Sequence, residues 1–362
     1  MKKKLALILA LVMVMAMFAG CGSAPAETPS ADTTDANNAP AADAAAATYT
    51  IRLGHSNPED ENNIVHYTSL FFKEKVEEYS NGAIKVEIYP SNQLGDDQDQ
   101  IRALQNGSQE MTYTSVQNYA VFCAPLYYFS LPYMFTGQEE AESAVNAMWD
   151  QNNEWLTSQA GLRGVAYAFA GFRNLTTDAK HPVTDLNSAK GVKVRIPSNA
   201  ISEAAFTALG FTPVPMAYSE VFTALQQGVV DGQENCLTAA VSESYDEVQK
   251  YVTDIQWQYT IGMFAISESF YQSLPAELQE AVVKAGKEAT EAEIAKFTEL
   301  NEADIQHLKD GGMEFLGEPT DYDQWVEICK GTWAAQYATI GGGDAAAGEA
   351  IVNQVVDIIS AK

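Results

Sequence analysis

Basic residues are scarce in this 362-residue chain: 21 lysines and arginines stand against 48 aspartates and glutamates, a formal net charge of −27. Arginine is scarcer still, confined to Arg52, Arg102, Arg163, Arg173 and Arg195. Such a balance excludes the basic face with which proteins hold nucleic acid, and a basic patch for a membrane surface as well. An anionic ligand would be opposed by the field of the whole protein, so its attraction must come from a few local cations. Cysteine is also sparse. After Cys21 only Cys123, Cys236 and Cys329 remain, an odd number that leaves at least one unpaired. There is no disulfide framework, and a single bridge stays open. The histidines, His55, His66, His181 and His307, show no metal-ligand spacing. No HExxH, GxSxG or Walker pattern occurs. The acidic Glu59–Glu61 run lacks the spacing of a calcium loop, and the glycine run Ile340–Asp344 lacks the strand–turn–helix context of a phosphate loop; both read as surface loops. No metal, no cofactor and no catalysis are expected. After residue 19 no apolar run is long enough to cross a bilayer.

What is present begins at the N-terminus. Lys2, Lys3 and Lys4 precede an apolar run of 15 residues, Leu5 to Ala19. That is shorter than the roughly 20 residues of a spanning helix and fits the apolar region of a secretory signal peptide. Phe18-Ala19-Gly20-Cys21 resembles the lipobox of bacterial lipoproteins, in which the cysteine is lipidated and becomes the mature N-terminus; Phe18 stands where Leu is usual. Residues 22–47 are nearly all Ala, Thr, Ser, Pro, Asp and Asn, with Glu27, Asp32, Asp35 and Asp43 and no basic residue. Such a segment has nothing to bury and spans about 25–30 Å as a flexible chain. We therefore expect a signal peptide over 1–20, a lipid anchor at Cys21 with a disordered tether over 21–47, and a folded part held at the outer face of the cytoplasmic membrane.

By length the remainder is about two domains. A strand is predicted over Tyr49–Leu53, a helix over Ile64–Ser80 stopped by Asn81-Gly82, a strand over Ile84–Tyr89, and a helix over Asp97–Asn106 ended by Gly107. Strands alternate with helices from there, which predicts α/β architecture with mainly parallel sheets. Pro275 to about Gly311 is the longest helical stretch; about 35 helical residues run about 52 Å, enough to bridge two lobes as a beam. An internal echo fits two similarly built lobes. Lys85-Val86-Glu87-Ile88-Tyr89-Pro90-Ser91-Asn92 recurs as Lys193-Val194-Arg195-Ile196-Pro197-Ser198-Asn199, and ALQNG (103–107) recurs as ALQQG (224–228), each followed by an acid, Glu110 and Asp231. Convergence of common strand-turn and helix-stop patterns is the alternative.

The stretch from Ala170 to Leu237 contains GVKVRIPSN and AYSEVFTALQQGVVDGQEN. With VEIYPSNQLG, SLPYMF and SLPAELQEAV elsewhere, the chain from Thr48 to about Leu316 resembles the solute-binding proteins of TRAP (tripartite ATP-independent periplasmic) transporters, the DctP group. The resemblance implies an α/β, bilobal periplasmic-binding-protein-like fold: two α/β lobes around a cleft, with a long helix spanning both. It puts lobe one at 48–170 and 260–300, and lobe two at 171–259 and 301–362. It implies a monomer that captures a small carboxylate, such as a sugar acid or a C4-dicarboxylate, and delivers it to the small and large membrane subunits of an ion-gradient-driven permease. Arg195, in KVRIP, matches the arginine that pairs with the ligand carboxylate. Arg173, in GFRNLTT, matches a second arginine that often assists; Asn235, in DGQEN, matches an asparagine bound to the same carboxylate. Tyr218 stands where an aromatic packs on the ligand, Ser115 where some members place a polar contact, and His55, Ser56 and Asn57 at the first-lobe cleft edge. The physics agrees for Arg195: a guanidinium fork matches a carboxylate in bidentate fashion, and strand ends are where α/β folds place ligand groups. The binding subunit of an ATP-driven importer, a ligand-presenting partner of a sensor kinase and an extracellular lipoprotein enzyme remain the rivals.

Overall fold

The computed structural model describes residues 49–361; the expected signal peptide, Cys21 and the tether lie outside the described residues. The strands are β1 (Tyr49–Gly54), β2 (Ile84–Tyr89), β3 (Met111–Ser115), β4 (Leu162–Phe172), β5 (Asn174–Thr177), β6 (Lys193–Ile196), β7 (Thr212–Pro215), β8 (Gly232–Asn235), β9 (Tyr251–Thr253), β10 (Tyr259–Ser267) and β11 (Glu314–Gly317). They form two sheets, ordered β2-β1-β3-β10-β4 and β11-β9-β5-β8-β6-β7. Both are covered on two faces. In β10, Ile261, Met263 and Ala265 pack into one apolar cluster, while Phe264 and Ile266 pack into another on the opposite side, as the period of two requires. The second sheet lies likewise between clusters holding Val194 and Ile196 and Val252 and Leu308.

The sheets are mixed rather than mainly parallel. β1–β2, β1–β3, β6–β7, β6–β8 and β9–β11 are parallel, but β10 runs antiparallel to β3 and β4, and β5 antiparallel to β8 and β9. The cause is connectivity. β4 runs straight on into β5, so the chain passes from the first sheet to the second, and returns through residues 254–258 into β10. Gly171 stands at this passage with φ +79°, and a Cβ there would meet Phe297 at 2.5 Å; only glycine meets both demands without strain.

Most of the predicted elements are present within two residues. The Ile64–Tyr79 helix stops before Asn81 and Gly82, both at positive φ. The long helix runs Ala276–Asp310, 35 residues. Its Leu278, Val282, Ala285 and Ala289 join the apolar cluster that holds Val165 and Ala166 of β4 and Phe72 of the Ile64–Tyr79 helix, and its far end places Leu308 in the cluster of the second sheet, so one rod carries both halves. The C-terminal end departs from expectation. The expected lobe two includes residues 301–362, but Ile340, Val352 and Val355, on the helices Trp333–Ile340 and Ala345–Ser360, share an apolar cluster with Leu126, Ala144 and Tyr167 on the first-sheet side, packing on the Gln138–Ala147 helix and the Ala124–Ser130 turn.

The echo is half right. β1–helix–β2–helix–β3 and β6–helix–β7–helix–β8 share one order, with the first strand between the other two. Gly107 and Gly228 end equivalent helices in the left-handed conformation, and their acids act alike: Glu110 accepts from the Arg52 backbone N–H on β1 at 2.9 Å, Asp231 from that of Lys193 on β6 at 2.9 Å. The strand copies are not equivalent, since β2 is a second strand and β6 a first. Glu87 and Arg195 therefore occupy unlike positions.

Candidate ligand-binding cleft

A cleft of about 420 Å³ opens between residues of the two sheets, beside the long helix. That is within the usual range of about 300–1,000 Å³ for small-molecule sites. Arg195 lies on the second-sheet side. Alternation along β6 turns Val194 and Ile196 into the apolar cluster and Arg195 to the other face. Its side chain is 3% exposed. Nε and Nη2 donate to the Met216 carbonyl at 3.2 and 2.9 Å, and the guanidinium lies 5.9 Å from the Tyr218 ring centroid. Burial pulls its pKa below the ordinary guanidinium value, with Tyr245 and Glu234 opposing and the Arg173 charge pushing the same way. Arg195 makes no ion pair among the described residues. The other four arginines do, with Glu110, Asp99, Glu268 and Glu234 in chain order.

Arg173 also lines the cleft, but its fork is taken. Nε reaches Glu234 Oε2 at 2.5 Å, and Nη2 donates to Oε1 at 3.0 Å and to the Glu234 carbonyl at 2.7 Å. Trp257 Nε1 donates to the same carboxylate at 2.7 Å. Burial alone would lower the Arg173 pKa; the Glu234 charge and hydrogen bonds outweigh it, and the net shift is upward. Its first partner is thus a protein carboxylate. Asn235 ends β8, lines the cleft, and spends Oδ1 on the Cys236 N–H at 2.9 Å. Its NH2 group has no hydrogen-bond partner among the described residues.

On the first-sheet side Asn57 and Ser115 line the cleft as well. His55 does not. It is fully buried beneath the loop, with Nε2 3.1 Å from His66 Nδ1, and burial, then the His66 charge, push its pKa down to about 3. It supports the edge rather than facing a ligand. So the structure gathers Arg195, Arg173, Asn235, Tyr218, Ser115 and Asn57 around one space and leaves His55 behind it.

Three groups escaped the sequence reading. Asp97, the first residue of the helix Asp97–Gln105, faces the cleft with Oδ1 accepting from Ser56 Oγ at 2.6 Å and Oδ2 from Asn118 Nδ2 at 3.2 Å. Gln117, 4% exposed, lines the cleft with Oε1 unpartnered among the described residues. Glu293, on the long helix, is 1% exposed at the cleft and accepts from the Tyr113 hydroxyl; burial raises its pKa to about 7. The signal for Glu293 was available: it continues the buried stripe Leu278, Val282, Ala285, Ala289 at helical spacing. Asp97 had none beyond being one of two adjacent acids at a helix start. Tyr113 in turn needs Gly262, where a Cβ would come within 2.8 Å of its hydroxyl.

Two mixed α/β halves on a shared helix, with a buried cation in the cleft that pairs with no carboxylate among the described residues, fit a bilobal solute-binding protein. A family model, the bacterial extracellular solute-binding protein family 7 (DctP), matches residues 53–339, and the chain belongs to that family. It is 35% identical over 270 residues to a solute-binding protein of Roseobacter denitrificans, covering 74% of this chain and 81% of that one. To the C4-dicarboxylate-binding periplasmic protein DctP of Rhodobacter capsulatus it is 33% identical over 263 residues, covering 71% and 78%. Among solved structures, a TRAP periplasmic solute-binding protein of Roseobacter denitrificans with bound L-galactonate superposes with a TM-score of 0.77 at 30% identity, covering 85% of this chain and 99% of that one. The protein is thus a TRAP-type solute-binding protein. Relatives of this kind bind carboxylates and serve transport.

Proposed function

We propose that this chain captures a small organic acid by its carboxylate at Arg195, closes its two lobes around it and passes it, unchanged, to the small and large subunits of a TRAP permease. The observation that carries the reading is the isolation of Arg195 among five arginines. A guanidinium removed from water without a counter-charge costs free energy that a ligand carboxylate recovers. The free amide of Asn235 suits the carboxylate's second oxygen, and the Tyr218 ring packs beside the pair. The galactonate held by one relative and the C4-dicarboxylate in the name of another agree with a ligand of this size and charge. The lipobox-like Phe18-Ala19-Gly20-Cys21 and the polar segment after it support a lipid anchor outside the cytoplasmic membrane; Cys21→Ala should release the protein from membranes, and a parent protein already freely soluble would refute the anchor.

The test is titration calorimetry against a panel of organic acids on parent, Arg195→Ala and Arg195→Lys proteins. Leaving a buried ligand charge unpaired costs about 2–5 kcal/mol, roughly 30-fold to several thousand-fold in affinity. Lysine keeps the charge but not the fork, so it should restore only part. Affinity of Arg195→Ala within about threefold of the parent, less than 1 kcal/mol, would show that Arg195 is structural and would sink the reading.

A further inference from the structure

We propose that the first-sheet wall of the cleft selects a hydroxylated monocarboxylate, an open-chain sugar acid, and turns away dicarboxylates, with Asp97 as the deciding residue. This deepens the reading above and rests on Arg195 as the anchor of the ligand carboxylate.

The argument is a charge inventory. Among the described residues, the charged side chains lining the cleft are Arg173, Arg195, Asp96, Asp97, Glu220 and Glu293, with no lysine or histidine. Arg173 is committed to Glu234. Arg195 is therefore the one cation free for a ligand, and it sits on the second-sheet side. Once it holds the first carboxylate, a second one meets no cation. It meets Asp97 on the opposite wall, and like charges across a partly buried space repel strongly because little water screens them.

Hydrogen bonding points the same way. An ionised carboxylate offers about four lone-pair sites and no donor. Asp97 uses two, for Ser56 and Asn118, and it pairs with no basic side chain among the described residues. Burial pushes its pKa up, opposed by hydrogen bonds and the Arg195 charge; its place in the first turn of a helix favours the negative charge, and the test below is made at alkaline pH, where that charge is present. The wall thus presents a carboxylate with acceptor capacity to spare. Ligand hydroxyls donate; a ligand carboxylate only accepts. An amide can turn its NH2 toward a carboxylate, but Asp97 has no such end. A buried acceptor left without a donor carries the full loss of its hydration, so a chain of hydroxyls is rewarded where a second carboxylate is penalised. The cleft reads one end of its ligand as an acid and the rest as a polyol.

The experiment is calorimetry at pH 8 with D-gluconate, D-galactonate and L-threonate against succinate and L-malate, on the parent, Asp97→Asn and Arg195→Ala proteins. L-malate carries a hydroxyl as well as two carboxylates, so it separates a hydroxyl requirement from charge exclusion. We expect the parent to bind at least one of the three aldonates 30-fold or more tighter than either dicarboxylate. Asp97→Asn, which keeps the shape, should weaken that aldonate tenfold or more and shrink the ratio. Succinate or L-malate matching the best aldonate on the parent would overturn the proposal, as would no aldonate binding at all, or a ratio unchanged within threefold in Asp97→Asn. The parent's ranking stands even if the variant does not fold. Arg195→Ala keeps the failures apart: if it binds like the parent, the carboxylate anchor itself is wrong; if it loses binding while the ranking fails, only the Asp97 selection falls.

Discussion

Arg173 is where ligand recognition and stability are most easily confused, and its replacement by alanine separates them. The side chains of Arg173 and Glu234 are 4% and 0% exposed. Without the guanidinium, Glu234 keeps only the Trp257 indole N–H for a charge sealed from water. Removing one partner of a buried ion pair costs about 3–5 kcal/mol, a large share of a total folding stability of about 5–15 kcal/mol. Arg195→Ala is the opposite case: it removes a buried cation that balances no carboxylate among the described residues, so folding stability should fall little or rise. Urea denaturation with linear extrapolation measures both, and calorimetry on the folded variants measures ligand affinity. Adding Glu234→Gln to Arg173→Ala should recover part of the loss, because the stranded charge is gone. The reasoning fails if Arg173→Ala unfolds within about 0.5 kcal/mol of the parent, the range of an ordinary surface change, while its ligand affinity collapses. Arg173 would then be a ligand residue and its bond to Glu234 incidental.

Glu293, raised to about 7 by burial, binds its proton more tightly folded than unfolded. Its contribution, on the order of 3 kcal/mol, is fully present only below the unfolded value of 4.5 and is lost as pH rises from there through about 7. Glu293→Gln should flatten that slope between pH 5.5 and 8 in denaturation experiments; parent and variant with parallel profiles would count against it. His55, pushed down to about 3, acts oppositely below its unfolded value of 6.5, so the difference between the two proteins is the quantity to compare. Gly171→Ala forces a side chain onto positive φ and into Phe297 and should destabilise by about 1–3 kcal/mol; a loss under 0.5 kcal/mol would mean that the crossover yields freely. Lobe closure should lower the radius of gyration in X-ray scattering when ligand saturates the protein, and an unchanged profile would argue for a preformed site.

Much of the frame was legible in the sequence because its signals are local. Helix stops such as Asn81-Gly82 and Gly107 depend on a backbone conformation that few residues adopt, and the long helix shows its spacing over many turns. KVRIP singles out Arg195 in the sequence, and the geometry gives a physical reason to propose it as the anchor: among the described residues it is the arginine without a carboxylate partner. What was missed depends on partners far along the chain. Nothing near Arg173 reveals that Glu234, 61 residues later, occupies its fork. Nothing near His55 tells that it is covered. The helices after Trp333 look equally ready to pack on either half; their apolar faces fit the surface around Leu126 and Ala144, which only the three-dimensional arrangement supplies. The strand echo misled because lysine-valine-x-isoleucine describes any strand with one wet end.

The return of the chain through β10 has a consequence for how this molecule comes into being. β10 lies between β3 and β4, with Met111 beside Ile266 and Ala168 beside Gly262. The strands made first stay incomplete until residues 259–267 exist, and the cluster beneath them stays open until Ile340, Val352 and Val355 arrive. Pairings so distant in sequence form slowly, since the cost of closing the loops precedes the gain. A nascent polypeptide of this design cannot lock its first half ahead of its last. It stays threadable until the final helices emerge, the condition a protein must meet to pass unfolded through a narrow translocation pore and take its shape on the far side.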